Sequence, residues 1–449
     1  MNRIIKAAIF LSVLLGFTLV PDPGRTQGLY FPPVNPAAAW DTISPSSMAW
    51  CTEKIAPLYD FLEQENTKGF LVLRDGKIAL EKYFGTFTRD SLWYWASAGK
   101  TVTSFLVGKA QEEGYLSIAD ASSKFLGAGW TSCTPAQEGR ITIRHQLTMT
   151  SGLDDGVPDN HCTLDTCLDF LASPGTRWAY HNAPYTLLEK VLVNSTGQPV
   201  NTYTQAKLEA RTGMTGFWFT IGYDNVFFSM ARSMARFGLL MQNRGVWAGD
   251  TLLHDSTYLH QSVNTSQPLN NSYGYLWWLN GKSSYMVPGS QVVIPGMYAP
   301  HAPADMFAGL GKNGQIVTIS PSKGVVIVRM GNLPGSPGSD FPGLFCDQIW
   351  QKLNEVMCNS NGLPETDLQA VNLQIYPDPA QQTFTVGLPQ QLFNLAISDP
   401  AGRLLLERNR VYGKIDIDSR NFPQGFYIVS VTNEKKMVYT RKLYILKSP

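Results

Sequence analysis

Charge is scarce in this chain of 449 residues: only 16% of positions are Asp, Glu, Lys or Arg, and they balance to a formal +1. So neutral a chain carries no electrostatic footprint for nucleic acid or an anionic membrane. There is no repeat of solenoid type, no low-complexity tract, and, past the N-terminus, no apolar run long enough to span a bilayer. Six cysteines occur, none in a C-x-x-C pair and none at zinc-site spacing, so neither a metal nor an organic cofactor is expected. The glycines at 309, 311 and 314 lead into a strand pattern with no Gly-Lys-Ser/Thr, which excludes a phosphate loop. What the chain does have is apolar content, 44% hydrophobic residues. That is enough for a large core and, at this length, for two or three domains.

The chain opens on Met1-Asn2-Arg3-Ile4-Ile5-Lys6, an apolar run from Ala7 to Val20, and the breakers Pro21, Pro23 and Gly24. This reads as a secretory signal peptide over residues 1–27 rather than a buried N-terminal helix. Export makes disulfides the expected state of the cysteines, with Cys162–Cys167 and Cys346–Cys358 as the local pairs.

Three clusters carry the chemistry. Ser97 and Lys100 stand three apart where an aromatic strand end, Trp93-Tyr94-Trp95, meets a helix-forming run. At that spacing a hydroxyl and an amine share one face, and a lysine with a lowered pKa can take the serine proton. Tyr180-His181-Asn182 follows the turn Pro174-Gly175-Thr176 and precedes a helical pattern ending at Gly197. A tyrosine near a lysine is expected to ionise more easily and relay a proton; Asn182 offers an amide to substrate or to Lys100, and His181 is expected to point away. In Phe307-Ala308-Gly309-Leu310-Gly311 bare strand backbone can approach something closely and face a developing oxyanion. Upstream, Asp75-Gly76 between two apolar runs predicts a β-hairpin.

Ser97-x-x-Lys100, Tyr180-x-Asn182 and the glycine strand, in that order, resemble the serine β-lactamase and penicillin-binding-protein superfamily. The class C-like branch, the 6-aminohexanoate-oligomer hydrolases and family VIII-type esterases are the most similar. Leu147-Thr148-Met149-Thr150-Ser151-Gly152-Leu153 and Tyr273-Gly274-Tyr275-Leu276-Trp277-Trp278 are similar too. The resemblance implies an α/β (α+β) fold, an antiparallel sheet flanked by helices with a mostly helical subdomain, over residues 28–358. It implies Ser97 as the acylated nucleophile, Lys100 and Tyr180 as proton-transfer groups, and Asn182 with Gly309, Leu310 and Gly311 as the substrate and oxyanion side. The backbone N–H groups of Ser97 and Leu310 would form the oxyanion hole. One departure matters: Phe307-Ala308-Gly309 stands where β-lactamases carry Lys-Thr-Gly or His-Thr-Gly, so the cation and hydroxyl that hold a substrate carboxylate are missing. The expected substrate is therefore a small or oligomeric ester or linear amide. The alternatives are a β-lactamase or DD-peptidase and, in another class, a silent binding protein on the same fold. Trp93, Trp95, Trp178, Trp277 and Trp278 are candidates for an apolar acyl site or for core.

Past Cys358, a polar linker over 359–372 precedes alternating apolar residues with evenly spaced turns over 373–449, which predict an all-β sandwich. Its order of motifs, among them Tyr376-Pro377 and Pro423-Gln424-Gly425-Phe426-Tyr427, resembles the C-terminal sorting domain of the type IX secretion system. That implies the secretion machinery as a partner, a secreted or outer-membrane surface-attached protein, and no transmembrane segment in the mature chain.

Overall fold

The computed structural model describes residues 28–335, 341–358, 373–377, 380–389, 391–399, 403–433 and 438–446. The signal-peptide segment 1–27 and the linker 359–372 lie outside the described residues.

The hairpin expected at Asp75-Gly76 forms between the strands Thr67–Arg74 and Lys77–Tyr83. Asp75 and Gly76 both take positive φ, 48° and 87°, as a two-residue turn matching the strand twist requires. A Cβ on Gly76 would sit 1.8 Å from the Tyr30 carbonyl oxygen, so the N-terminal segment docks there only against glycine. The hairpin is one side of a six-stranded antiparallel sheet. Its order runs Lys77–Tyr83, Thr67–Arg74, Val325–Gly331, Gln315–Ser320, Phe307–Gly311, Trp278–Leu279. Four of these strands come from the far end of the domain, so the sheet closes only once about 200 intervening residues have folded across it, a high-contact-order arrangement.

The inner strands Gln315–Ser320 and Val325–Gly331 are buried along their whole length, because helices cover both faces. Ala231–Gln242 packs on one face, Ile55–Gln64 and Gly343–Val356 on the other. Arg329 is buried inside this sheet, its guanidinium solvated by hydroxyl and carbonyl acceptors. It donates to Thr67 Oγ1 (3.1 Å) and to the carbonyls of Asn313 (2.7 Å), Gly314 (3.1 Å), Glu65 (2.7 Å) and Asn332 (3.0 Å). Each satisfied donor removes a desolvation penalty, and together they pin the turn at the end of the Phe307–Gly311 strand.

A helical subdomain lies beside the sheet, with Lys100–Glu112, Ile143–Leu147 and Asn182–Thr196 packed on one another. Asn182–Thr196 stops at Gly197 in the left-handed conformation, φ 69°, as expected.

Of the two expected disulfides, Cys162–Cys167 is present and Cys346–Cys358 is not. Cys346 lies inside the helix Gly343–Val356, whose end precedes Cys358 by two residues. Twelve residues along a helix span about 18 Å, far beyond disulfide reach. Cys358 pairs with Cys51 across 307 residues, and Cys346 is a buried thiol whose pKa burial pushes up. Cys51→Ser is expected to cost about 2–5 kcal/mol, a melting-temperature drop of roughly 3–8 °C in calorimetry. An unchanged melting temperature would show that the bridge contributes nothing.

The C-terminal region has its own core, built on Phe384, Val386, Leu395, Ile397, Ile417, Val429, Val431 and Leu443. A three-stranded sheet (Gln374–Tyr376, Thr383–Gly387, Lys414–Asp418) and a four-stranded one (Leu404–Val411, Phe393–Ser398, Gly425–Asn433, Val438–Ile445) supply it. In Phe393–Ser398 the residues Phe393, Leu395 and Ile397 are buried and those between them are not, as in a sheet with one face inward.

Candidate active site

Ser97 sits where the chain turns from the short strand Trp93–Tyr94 into the 3₁₀ turn Ala96–Gly99 and then the helix Lys100–Glu112. Residues three apart eclipse one another in a 3₁₀ turn, and Lys100 Nζ lies 2.9 Å from Ser97 Oγ. The turn is held from behind. Trp95 donates its backbone N–H to Phe227 O (2.8 Å) and its indole N–H to Ser229 Oγ (2.7 Å). Ala96 is left at φ 46°, a conformation a non-glycine residue adopts only where the surroundings impose it.

Two further elements complete the site. Tyr180 is seated by the backbone bond of Ala179 to Met149 O (2.9 Å) and by stacking on Trp278, centroids 5.9 Å apart at 21°. Its phenol lies in the same cleft as Ser97, whose hydroxyl favours the ionised form. Asn182, the first residue of its helix, accepts from Lys100 Nζ at 2.9 Å. On the other side the glycine strand rides directly over the serine turn. A Cβ on Gly311 would lie 2.4 Å from Trp95 O, 2.9 Å from Ala98 N and 3.1 Å from Ser97 N, and one on Gly309 3.1 Å from Thr101 Cγ2. Ser97, Lys100, Tyr180, Asn182 and Leu310 thus surround one cleft of about 580 Å³. Gly309 and Gly311 do not line it; they permit the strand's approach.

Burial sets the protonation states. Lys100 is 3% exposed and flanked by the rings of Tyr185 (4.1 Å) and Tyr180 (5.1 Å). Desolvation pulls its pKa down to about 7, with Asp224 opposing. A substantial neutral fraction therefore exists at physiological pH, as a general base needs. The expectation of an easily ionised tyrosine is corrected: burial pushes Tyr180 well up, more than the nearby Ser97 hydroxyl brings it down. Burial thus eases loss of the Lys100 proton and hinders loss of the Tyr180 proton.

Neither His161, Asp224 nor Asn160 stands out from the sequence, yet all three line the cleft. His161 Nδ1 lies 2.8 Å from Asp224 Oδ1, and its Nε2 lies 3.2 Å from Asn182 Nδ2, which also donates to Asn160 Oδ1 at 3.2 Å. With Nδ1–H given to Asp224, Nε2 accepts from the Asn182 amide and turns its oxygen toward Lys100. The Cys162–Cys167 bridge next to His161 was the one available signal that this loop is held in place. His181 is buried outside the cleft lining. Trp95, Trp178 and Trp277 are core residues, at most 1% exposed, and of the five tryptophans only Trp278 lines the cleft. Its apolar wall is instead Tyr94, Ile221, Val226, Phe228, Leu310 and Phe341, with the exposed Lys312 at the edge. Phe307 is buried against Trp277, centroids 5.1 Å apart. No group of three or more His, Cys, Asp or Glu able to hold a metal occurs among the described residues.

The Beta-lactamase family matches residues 61–343, well over half the chain. The chain belongs to the Beta-lactamase family. This β-lactamase-family domain is followed by a second match, to the secretion system C-terminal sorting domain, over residues 374–446. Among solved structures, a provisionally named 6-aminohexanoate-dimer hydrolase from Bacillus anthracis is 19% identical, with TM-score 0.55 over 74% of this chain and 90% of that one. A hydrolase with promiscuous acyltransferase activity is 15% identical, with TM-score 0.50 over 69% and 99%. At such identities the likeness is one of fold. A provisionally named D-alanyl-D-alanine carboxypeptidase of Escherichia coli is 22% identical over 386 residues, covering 66% of this chain and 86% of that protein. The sorting domain indicates type IX secretion to the cell surface or beyond, and no helix among the described residues is long and apolar enough to cross a membrane.

Proposed function

We propose that the β-lactamase-family domain is a serine hydrolase that cleaves ester or linear amide bonds through an acyl-enzyme on Ser97. The observation that carries this is the buried Lys100 amine, 2.9 Å from Ser97 Oγ with a pKa near 7. Lys100 takes the Ser97 proton as Oγ bonds to the substrate carbonyl carbon, whose oxygen becomes an oxyanion facing the backbone N–H groups of Ser97 and Leu310. As the intermediate collapses and the bond to the alcohol or amine breaks, the proton passes from Lys100 through Tyr180 to the leaving group. Water, deprotonated by the same groups, then cleaves acyl-Ser97 to the acid and the free serine. Asn182 holds Lys100 in line.

Phe307-Ala308-Gly309 offers neither cation nor hydroxyl to a substrate carboxylate, which supports esters and linear amides over β-lactams and D-Ala-D-Ala peptides. The likeness to a named carboxypeptidase keeps the second reading in the test. Domain limits of 28–358 and 373–449, joined by a linker, belong to the same proposal. Intact-mass analysis after fluorophosphonate treatment, with peptide mapping, is expected to place one label on Ser97, and turnover of p-nitrophenyl esters or amide oligomers is expected to exceed that of nitrocefin. Fast nitrocefin turnover would favour a β-lactamase; neither label nor turnover would leave a silent binding protein.

A further inference from the structure

The strands Gly216–Ile221 and Asp224–Ser229 form a hairpin to which Trp93–Tyr94 adds a third strand. One face of this small sheet is core: Trp218 is 5% exposed and Phe227 fully buried, their rings 5.0 Å apart. The other face is open, and a strand with one face in water places polar residues there. Here Phe217, Phe219 and Ile221 occupy it, 39%, 57% and 51% exposed. They are not scattered. Phe217 stacks on Phe228 (5.6 Å, 9°), Phe219 meets the same ring edge-on at 6.5 Å, and Tyr94 approaches it at 6.4 Å. Phe228, Tyr94 and Ile221 in turn line the Ser97 cleft. One apolar face therefore runs unbroken from beside the serine out to the surface.

We propose that this face is the outer part of the substrate site and holds a long, uncharged, apolar chain, so that the preferred substrates are esters or amides of medium- to long-chain aliphatic or aryl groups. This deepens the acyl-enzyme reading and rests on it. Continuity with the cleft selects the substrate chain as occupant over a second protein. The charges agree, since the one charged residue of the outer turn that lines the cleft, Asp224, is engaged by His161, and no cation replaces it along the row. The length agrees as well: Phe217 to Ile221 spans about 13 Å of extended strand, room for a chain far longer than acetyl.

The test uses the full chain and the variant Phe217→Thr/Phe219→Thr, whose two positions lie outside the cleft lining and keep β-forming residues. Specificity constants are measured for two homologous series, p-nitrophenyl alkanoates and alkyl acetates, each from the shortest member to the ten-carbon one and below micelle formation. Burying a methylene is worth a factor of about four, so with partial burial the wild type is expected to gain at least about tenfold between the four- and eight-carbon members of one series. The variant should lose most of that gain while p-nitrophenyl acetate turnover is unchanged. Intact acetate turnover with the same chain-length profile in variant and wild type would overturn this proposal alone. Absence of acetate turnover and of Ser97 labelling would overturn the acyl-enzyme reading and this proposal with it. A variant that changes only the oligomeric mass in light scattering, or only co-sedimentation with phosphatidylcholine vesicles, would reassign the face to a second copy or to a lipid surface.

Discussion

Ser97→Ala is expected to abolish fluorophosphonate labelling and to lower kcat/KM for p-nitrophenyl acetate at least about 10³–10⁴-fold, with Lys100→Met nearly as severe and the double variant no worse than Ser97→Ala alone. The non-additivity follows from geometry: Oγ and Nζ lie 2.9 Å apart and act as one unit, so losing either loses the unit. The pH dependence carries the assignment. A general base works neutral, and burial has already lowered the Lys100 pKa to about 7. Wild-type activity should thus rise with pH through about 7 and then level off, because the ammonium form below that point cannot accept the serine proton. In Lys100→Met this rising limb should be gone from whatever activity remains. Methionine suits the buried, ring-lined position and removes a charge that is expensive to bury, so the variant should fold. Retention of more than a tenth of wild-type activity, or of the limb, would exclude Lys100 as the base.

Gly311→Ala is expected to damage both fold and site. The added Cβ would meet three backbone atoms of the serine turn, Trp95 O at 2.4 Å, Ala98 N at 2.9 Å and Ser97 N at 3.1 Å, and backbone cannot swing aside as a side chain does. Strand and turn must separate, which costs about 1–3 kcal/mol as overpacking. The displaced serine should also cost on the order of 10²-fold in kcat/KM, since misplacement of about 1 Å suffices for that. Gly309→Ala is the comparison: its two nearest contacts are side-chain methyls, of Val317 at 3.0 Å and Thr101 at 3.1 Å, which can yield, and its one backbone contact, the Ala98 carbonyl, is no closer than 3.3 Å. It should be clearly milder in both melting temperature and activity. Wild-type kcat/KM in Gly311→Ala would mean that the glycine strand does not hold the serine in place.

Features encoded over a few residues are legible in the amino-acid order alone. The Asp75-Gly76 hairpin, the helix ending at Gly197, the alternating strands of the sorting domain and the Ser97/Lys100 spacing each depend on dihedral preference or periodicity along one short segment. The resemblance of the ordered motifs extends that reading to the family and the fold. Aromatic content misleads where facing matters. Trp95, Trp178 and Trp277 are as good candidates for the cleft as Trp278, and only packing separates them, because neighbours in sequence alternate between core and opening.

By itself the sequence determined the fold family, the sorting tail and which residues could meet at the serine. The tertiary structure alone decided their chemical state and their surroundings. The Lys100 pKa is lowered to about 7 because Tyr180 and Tyr185, far along the chain, help exclude water from it. The same burial keeps Tyr180 protonated. His161 reaches Asn182 because Asp224, 63 residues on, holds its ring, and Cys358 finds Cys51 instead of Cys346 because a helix is rigid. Spacing along a chain sets which groups can be near each other locally. Desolvation and long-range pairing depend on which distant segments close over them, and that is a property of the assembled fold.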